Sequence, residues 1–203
     1  CCGLTWITTG QLEGARARLR QTLDVLSPFV EAGVPIVGIE PSCTAVLRHD
    51  VLDLLPDDPR AAQIAVSVRT VAEFLTEQPG RAGDDRWLPP SLAGMTVIAQ
   101  PHCHQHAVMG FEADAALLRG AGAEVQTLSN CCGLAGNFGM EKGHYELSVA
   151  VAELELLPAL REAPPGAVFL ADGFSCRTQA AQLAGVTGVH LAELLASRLD
   201  EGR

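Results

Sequence analysis

The chain has 203 residues, a formal net charge of −10 and 48% hydrophobic residues. This composition is typical of a globular protein with a substantial core, and the low fraction of charged residues excludes a disordered chain. No run of Lys or Arg offers the basic patch that binds nucleic acid. The longest apolar stretches, such as residues 167–171, are far shorter than the roughly 18 residues of a membrane helix. We therefore expect neither a nucleic-acid partner nor a transmembrane segment.

The first predicted elements follow a Cys-Cys-Gly triplet at residues 1–3. Apolar residues recur at helical spacing over residues 8–33, and this stretch ends at a glycine that suits a helix C-cap. Residues 34–40 have the apolar, β-branched character of a buried strand, and Cys43 follows them. Helical segments come next, and the last of them covers residues 70–75. The predicted order is therefore triplet, helix, strand, cysteine and closing helix.

The second half of the chain has the same order, preceded by an additional strand, cysteine and helix. Its segments are a strand at 95–100, Cys103, a helix at 112–122, a strand at 123–129, the triplet at 131–133, a helix at 139–166, a strand at 167–173, Cys176 and a closing helix at 190–195.

A Gly/Pro-rich connection separates these two similar halves. The predicted organisation is a first Cys-Cys-Gly repeat over residues 1–80, truncated at its N-terminal side, a linker over 81–94 and a complete second repeat over 95–203. The chain begins inside a motif and has no initiator methionine. We therefore expect it to be part of a longer polypeptide.

Short apolar strands that alternate with helices predict an α/β fold with mostly parallel strands. The repeated order predicts that the two halves are tandem strand–helix units related by an approximate two-fold pseudosymmetry. Because the cysteines follow strands, they are expected at strand C-terminal ends, where open α/β sheets bind ligands.

The cysteines of the second repeat suggest metal or redox chemistry, because clustered thiols in a cytosolic protein favour it over disulfides. Cys103, Cys131, Cys132 and Cys176 supply four thiolates, which suit tetrahedral zinc or an iron–sulfur cluster. Neighbouring cysteines would close a strained ring on one zinc ion, whereas a cluster offers each of them a different iron. Gly133 would let the backbone turn close to the cofactor. The cluster is favoured, and a zinc site or unmetallated thiols remain as alternatives.

Three histidines flank Cys103, namely His102, His104 and His106. On an extended backbone their side chains would lie on one side and that of Cys103 on the other. His102 and His104 are candidate cofactor-binding residues that could ligate iron, relay protons or tune a cluster by hydrogen bonding. The alternative interpretation is that the histidines cap or pack a strand-to-helix turn.

These motifs, which span nearly the whole chain, resemble the tandem Cys-Cys-Gly cysteine-rich domain of iron–sulfur oxidoreductases. The family pattern is a cysteine in a Pro-containing strand-end segment, then Cys-Cys-Gly, then Cys-x-x-Cys. In the second repeat Cys103, Cys131, Cys132, Gly133 and Cys176 match it. In the first repeat the matching residues are Cys1, Cys2 and Cys43.

This chain departs from the family at one position in each repeat. The first cysteine of Cys-x-x-Cys is replaced by Glu40 in the first repeat and by Gly173 in the second. The resemblance therefore implies four thiolate ligands in the second repeat, enough for a [4Fe-4S] cluster, and only three in the first. An aerobic preparation is expected to lose such a cluster readily.

The form that these motifs take in this chain resembles the C-terminal part of FAD-linked oxidases of the D-lactate and D-2-hydroxyglutarate dehydrogenase type. It also resembles glycolate oxidase iron–sulfur subunits. This resemblance implies an electron-transfer module, inactive alone, that passes electrons from FAD to an acceptor. The implied partners are FAD and ferredoxin-like domains upstream in the same polypeptide, and a quinone or redox protein. The implied location is cytoplasmic, with peripheral attachment to the inner membrane face as a variant. The alternative is a non-redox zinc-binding or metal-free docking module.

Overall fold

The computed structural model describes residues 1–77 and 87–200, with the side chain of residue 200 left out. Two small parallel sheets organise these residues. In the first sheet β1 (Ile36–Gly38) pairs with β2 (Val68–Thr70). In the second sheet β3 (Thr96–Ala99) lies between β4 (Glu124–Thr127) and β5 (Val168–Leu170). All three pairings are parallel, and helices supply the crossovers that parallel strands require. The predicted α/β fold with parallel strands is confirmed.

The helices of the first half begin directly after the Cys-Cys-Gly triplet. The longest of them buries Ala15, Leu19 and Leu23 at intervals of four residues, which is the spacing of one helix face. The first half contains α1 (Leu4–Thr8), α2 (Leu12–Glu31), α3 (Pro41–Ala45), a π-helix (Val46–Asp50), α4 (Val51–Leu54), α5 (Pro59–Ser67) and α6 (Val71–Glu77).

The helices of the second half follow the same order after one additional strand and helix. They are a π-helix (Gln105–Met109), α7 (Glu112–Gly120), a 3-10 helix (Phe138–Met140), α8 (Tyr145–Ala152), α9 (Leu156–Glu162), α10 (Phe174–Ala184) and α11 (Leu191–Asp200).

The helix predicted over 139–166 is interrupted between α8 and α9. Pro158 lies inside α9 and cannot donate to a carbonyl four residues back, so one continuous helix across this point is unfavourable. Glu155 has a non-helical backbone, and its carboxylate accepts hydrogen bonds from the backbone N–H groups of Ser129 and Asn130 at 2.8 and 2.7 Å. A single helix was therefore a wrong prediction for this stretch.

Equivalent pairings surround the last strand of each half. In the first half β2 pairs in parallel with β1 and leads into α6. In the second half Val189 forms a parallel bridge with Leu170 at the end of β5, and α11 follows. Within the described residues, the two-stranded sheet has no counterpart of β3 or β4.

The two halves share apolar core residues. Ala72 of α6 belongs to one buried cluster with Leu118 of α7 and Leu191 of α11. Leu92 is fully buried in the same cluster, and its backbone N–H donates to the carbonyl of Ala121 at 2.8 Å. Part of the stretch predicted as a linker over 81–94 therefore packs in the core, and residues 81–86 of that prediction lie outside the described residues.

Candidate cysteine centre

The glycines of the two Cys-Cys-Gly triplets share a left-handed backbone conformation. Gly3 has a φ of 88° and Gly133 a φ of 89°, both in the left-handed region that side chains disfavour. A Cβ atom on Gly133 would lie 2.2 Å from the carbonyl oxygen of Ser148 in α8. A Cβ atom on Gly3 would lie 3.4 Å from the carbonyl oxygen of Ala15 in α2. Glycine therefore lets each triplet turn tightly against the helix that follows it.

This turn separates the environments of the two adjacent thiols. Cys1 and Cys131 are exposed, whereas Cys2 and Cys132 are buried. The equivalence of the two turns therefore extends to their side chains: in each half one thiol lies in the core and its neighbour faces solvent.

In the first half, the thiols of Cys2 and Cys43 lie together, with their Sγ atoms 3.1 Å apart. The neighbouring Cys43 thiol lowers the pKa of Cys2 to about 6, and the neighbouring Cys2 thiol together with burial raises the pKa of Cys43. Of the two thiols, Cys2 is therefore the more readily ionised.

In the second half, four thiols influence one another. The neighbouring thiols of Cys103 and Cys132 lower the pKa of Cys131, and the backbone N–H of Gly133 donates to its sulfur at 3.4 Å. The Cys131 thiol in turn raises the pKa of Cys103, as does burial. The thiols of Cys131 and Cys176 raise the pKa of Cys132. Among Cys103, Cys131 and Cys132, the thiol of Cys131 is therefore the most readily ionised.

These interactions do not amount to a preformed metal site. Within residues 1–77 and 87–200, no group of three or more His, Cys, Asp or Glu side chains has an arrangement that could hold a metal ion. The four-thiolate ligand set of the second repeat, and the ligand role of Cys1, Cys2 and Cys43, stay predictions.

The histidine segment differs from the sequence-based expectation. Cys103 and His104 are helical, and a π-helix follows them, so the predicted extended arrangement with three histidines on one side is wrong. The reason is local hydrogen bonding: the His106 N–H donates to the His102 carbonyl at 2.8 Å, and the His104 N–H donates to His102 Nδ1 at 3.2 Å. His102 is therefore buried, whereas His106 is exposed.

The two candidate cofactor-binding histidines lie beside Cys103. The rings of His102 and His104 meet edge to face with centroids 5.2 Å apart, and His102 Nδ1 lies 3.9 Å from Cys103 Sγ. Burial lowers the pKa of His102. His104 Nδ1 is buried without a hydrogen-bond partner, which is uncommon for a buried polar atom. A small cavity of about 90 Å³ lies next to this segment and is lined in part by Cys103 and Cys131.

Glu40 was not predicted from the sequence as a functional residue. Its carboxylate accepts one hydrogen bond from the Ser42 hydroxyl at 2.9 Å and one from the backbone N–H of Phe174 at 3.0 Å. Phe174 is the first residue of α10, so a charge on one half caps a helix of the other. The signal available in the sequence was position: Glu40 and Gly173 stand where the resemblance to the Cys-Cys-Gly pattern implies cysteines, and Glu40 accepts a hydrogen bond from the residue after Gly173.

A second polar contact joins the halves. His190 Nε2 donates to the carbonyl of Ile39 at 2.9 Å, and its Nδ1 accepts from the backbone N–H of Ala192 at 3.0 Å. Asp172 accepts a hydrogen bond from the backbone N–H of Leu191 at 2.7 Å, with its other oxygen 3.6 Å from His190 Nε2. Both ring nitrogens of His190 are thus hydrogen-bonded, which indicates a structural role.

By the chemistry of its donors, the thiol set suits an iron–sulfur group, although the described residues hold no preformed arrangement for a metal. Thiolates are the ligands of such clusters. The adjacent pair Cys131 and Cys132 would reach different iron atoms, and the backbone N–H of Gly133 donates to the sulfur of Cys131. Burial of Cys132 and Cys176 would shield one side of the group from water.

Comparison with known proteins relates the chain to bacterial dehydrogenases, although no protein-family profile matches it. It is 28% identical over 173 residues to D-2-hydroxyglutarate dehydrogenase of Escherichia coli K12, covering 84% of this chain and 16% of that protein. The D-2-hydroxyglutarate dehydrogenase of Pantoea ananatis is 29% identical over 168 residues, again 16% of its length. One subunit of the anaerobic glycerol-3-phosphate dehydrogenase of E. coli K12 is 27% identical over 203 residues, which are 98% of this chain and 49% of that protein.

The chain spans about half or less of the length of these curated relatives. Helices that are both long enough and apolar enough to cross a bilayer do not occur in the described part of the chain. The relatives that it matches are dehydrogenases or a dehydrogenase subunit, so the chain is similar to a segment of bacterial oxidoreductases.

Proposed function

We propose that the chain is an iron–sulfur-binding electron-transfer module from the C-terminal part of a flavin-dependent 2-hydroxyacid dehydrogenase. The observation that carries the proposal is the chain of thiol interactions that links Cys103 to Cys131, Cys131 to Cys132 and Cys132 to Cys176. These four residues are separated by up to 73 positions in the sequence, and only the fold makes them neighbours. The similarity to segments of dehydrogenases supports the redox assignment.

The four thiolates of the second repeat are the proposed ligands of a [4Fe-4S] cluster. When bound, such a cluster accepts and donates single electrons. The chain's own contribution is to hold the thiolates, to limit water and to set the electrostatic environment. Cys132 and Cys176 do this from the core, and the N–H of Gly133 stabilises the Cys131 thiolate.

His102 and His104 are proposed to tune this site. Both lie next to Cys103, and the unpartnered His104 Nδ1 is a buried polar atom without a hydrogen bond. A hydrogen bond from a protonated ring nitrogen to a cluster sulfur would raise the reduction potential, because it stabilises the more negative reduced state.

The exposed Cys131 and Cys103 place one side of the proposed site at the surface. Electrons would enter from FAD and ferredoxin-like domains of the same polypeptide and leave to a quinone or a redox protein. A cytoplasmic location, with peripheral attachment to the inner membrane face as a variant, belongs to the same proposal. Cys1, Cys2 and Cys43 supply three further thiols, too few by themselves for a complete four-thiolate site.

A second candidate is a non-redox module, either zinc-binding or metal-free, that docks a catalytic part onto a partner. The observation that favours its metal-free form is the lack of a ready-made metal-holding group among the residues that the structure describes.

Anaerobic reconstitution with iron and sulfide separates the candidates. We expect about four iron and four sulfide per chain, a brown absorption that dithionite bleaches, and an electron paramagnetic resonance signal in the reduced protein. A Cys131→Ser variant should lose all three, while Cys43→Ser should keep them. Tight zinc binding with no bound sulfide, or no metal at all under these conditions, would support the docking module instead.

A further inference from the structure

We propose that Cys2 and Cys43 form a reversible disulfide, so that the first repeat carries a thiol-oxidation site that responds to small peroxides. The proposal goes beyond the electron-transfer function and does not depend on a cluster in the second repeat. It rests on the 3.1 Å separation of two Sγ atoms that lie 41 residues apart in the sequence.

The two sulfur atoms are held at this separation by ordered elements. Cys2 is buried in the same apolar cluster as Leu19 and Leu23 of α2, and the left-handed turn at Gly3 fixes its backbone. Cys43 lies in α3, the helix that Pro41 opens. A disulfide needs an S–S distance of about 2.05 Å, so a displacement of about 1 Å would bring the atoms to bonding distance.

The number of thiols favours a disulfide over a metal at this place. A stable metal site needs three or four ligands, and the third cysteine of the first half, Cys1, is exposed while Cys2 is buried. Two thiols suffice for a disulfide. Cys43 is only half-buried, so a molecule as small as hydrogen peroxide can reach the pair.

The oxidation balances with hydrogen peroxide as the oxidant. One thiolate attacks a peroxide oxygen, the O–O bond breaks, and a sulfenic acid and hydroxide form. The second sulfur then attacks the sulfenic sulfur, the S–S bond forms and the S–O bond breaks. The two thiol protons and the two oxygen leaving groups end as two water molecules. A small dithiol reverses the reaction by thiol–disulfide exchange.

The disulfide would connect the start of the chain segment to α3. α3 contacts the π-helix Gln105–Met109 of the second half, and its N-cap residue Glu40 contacts Phe174. Oxidation would therefore link Cys2 covalently to the helix through which the first half contacts the second. It would also make both thiols unavailable for metal binding.

The test starts from protein that has been fully reduced, treated with a strong chelator and exposed to one equivalent of hydrogen peroxide. We expect an intact mass lower by two hydrogen atoms and, after digestion without reductant, a cross-linked pair of peptides that contains Cys2 and Cys43. Dithiothreitol should restore both residues to alkylation by N-ethylmaleimide. The thermal midpoint of the oxidised protein should be a few degrees higher.

Variants sharpen the result. Cys1→Ser should keep the cross-link, and Cys43→Ser should abolish it. If Cys43→Ser folds poorly, the cross-linked peptides of the unmodified chain still test the proposal. Three outcomes would overturn the proposal: a preferred link between other cysteines, sulfinic acid on Cys2 without any link to Cys43, or a metal that resists the chelator and protects both thiols.

Discussion

The carboxylate of Glu40 and the backbone N–H of Phe174 are joined by a hydrogen bond of 3.0 Å across 134 residues of sequence. The bond joins the two halves of the chain, and the carboxylate stabilises the N-terminus of α10. Glu40 stands where the resemblance to the Cys-Cys-Gly pattern implies a cysteine.

Removing this carboxylate should destabilise the protein. We expect Glu40→Ala to lower the free energy of unfolding by about 1 kcal/mol, the usual effect of losing a charged helix cap. Glu40→Gln should recover part of the loss, because an amide oxygen can still accept the bond. Urea denaturation of both variants measures this, with the exposed Glu31→Ala as a matched control. Equal stability of Glu40→Ala and the unmodified chain would show that the contact contributes nothing.

Gly133 should tolerate no side chain. The variant Gly133→Ala combines a left-handed backbone with a Cβ atom 2.2 Å from the Ser148 carbonyl, so we expect a loss of roughly 3 kcal/mol or more. Gly136 also has a positive φ, of 71°, but a Cβ atom added there would meet nothing within 4 Å. Gly136→Ala is therefore the matched control, with an expected loss of about 1–2 kcal/mol from backbone strain alone. Similar losses in the two variants would contradict the close-packed turn.

Asp114 should contribute a decline of stability as the pH rises through the acidic range. Burial in α7 raises the pKa of this carboxyl from 3.8 to about 7. Between these values the unfolded state has released the proton that the folded state keeps, so the contribution of Asp114 to stability is highest below about pH 4 and is lost progressively up to about pH 7.

The variant Asp114→Asn tests this dependence. It cannot ionise, so the corresponding part of the decline should disappear and the variant should be more stable than the unmodified chain near pH 7. Free energies of unfolding from denaturant titrations at a series of pH values provide the measurement. The control variant Glu124→Gln, at an exposed position, should keep the same decline of stability with rising pH. An unchanged slope in Asp114→Asn would mean that the carboxyl is already ionised in the folded protein at low pH.

In the flavin-dependent dehydrogenase proposed above, loss of one proposed cluster ligand should slow electron transfer and leave the hydride step unchanged. Cys131→Ser changes an exposed side chain, so folding should be preserved while the second-repeat cluster is lost. We expect flavin reduction by substrate to keep its rate and electron delivery to the acceptor to fall severely, because the hydride step takes place on the flavin. Stopped-flow absorbance resolves both steps. Loss of flavin reduction in a folded variant would place these cysteines in the catalytic site.

Local signals made much of the fold predictable. Gly33 correctly marks the end of the first long helix, since its φ of 76° requires a residue without Cβ strain, and the similar closing segments occur as α6 and α11. Proline also gave a local signal, but the sequence analysis assigned the end of the helix to the wrong prolines. The helix break lies before Pro158, where the missing N–H and the turn at Glu155 act together, rather than at the prolines that follow α9.

Contacts between distant residues could not be predicted in the same way. No local pattern indicates that Glu40 meets Phe174 or that His190 donates to Ile39, because both depend on how the halves pack. The helical turn at His102 likewise depends on its burial and on bonds from neighbouring N–H groups. For the candidate site, sequence supplied the cysteines and the glycine turn, whereas the close approach of Cys2 and Cys43 needed the fold.

The placement of α6 makes the halves mutually dependent. Its buried Ala72 completes an apolar cluster with α7 and α11, so each half supplies surface that the other must cover. A chain break introduced between residues 77 and 87 should therefore leave two pieces that remain bound to each other, and neither piece expressed alone should keep its native packing. The two similar halves should therefore unfold together, and their thiols should keep a fixed spacing, because neither half can move without exposing the shared apolar interior.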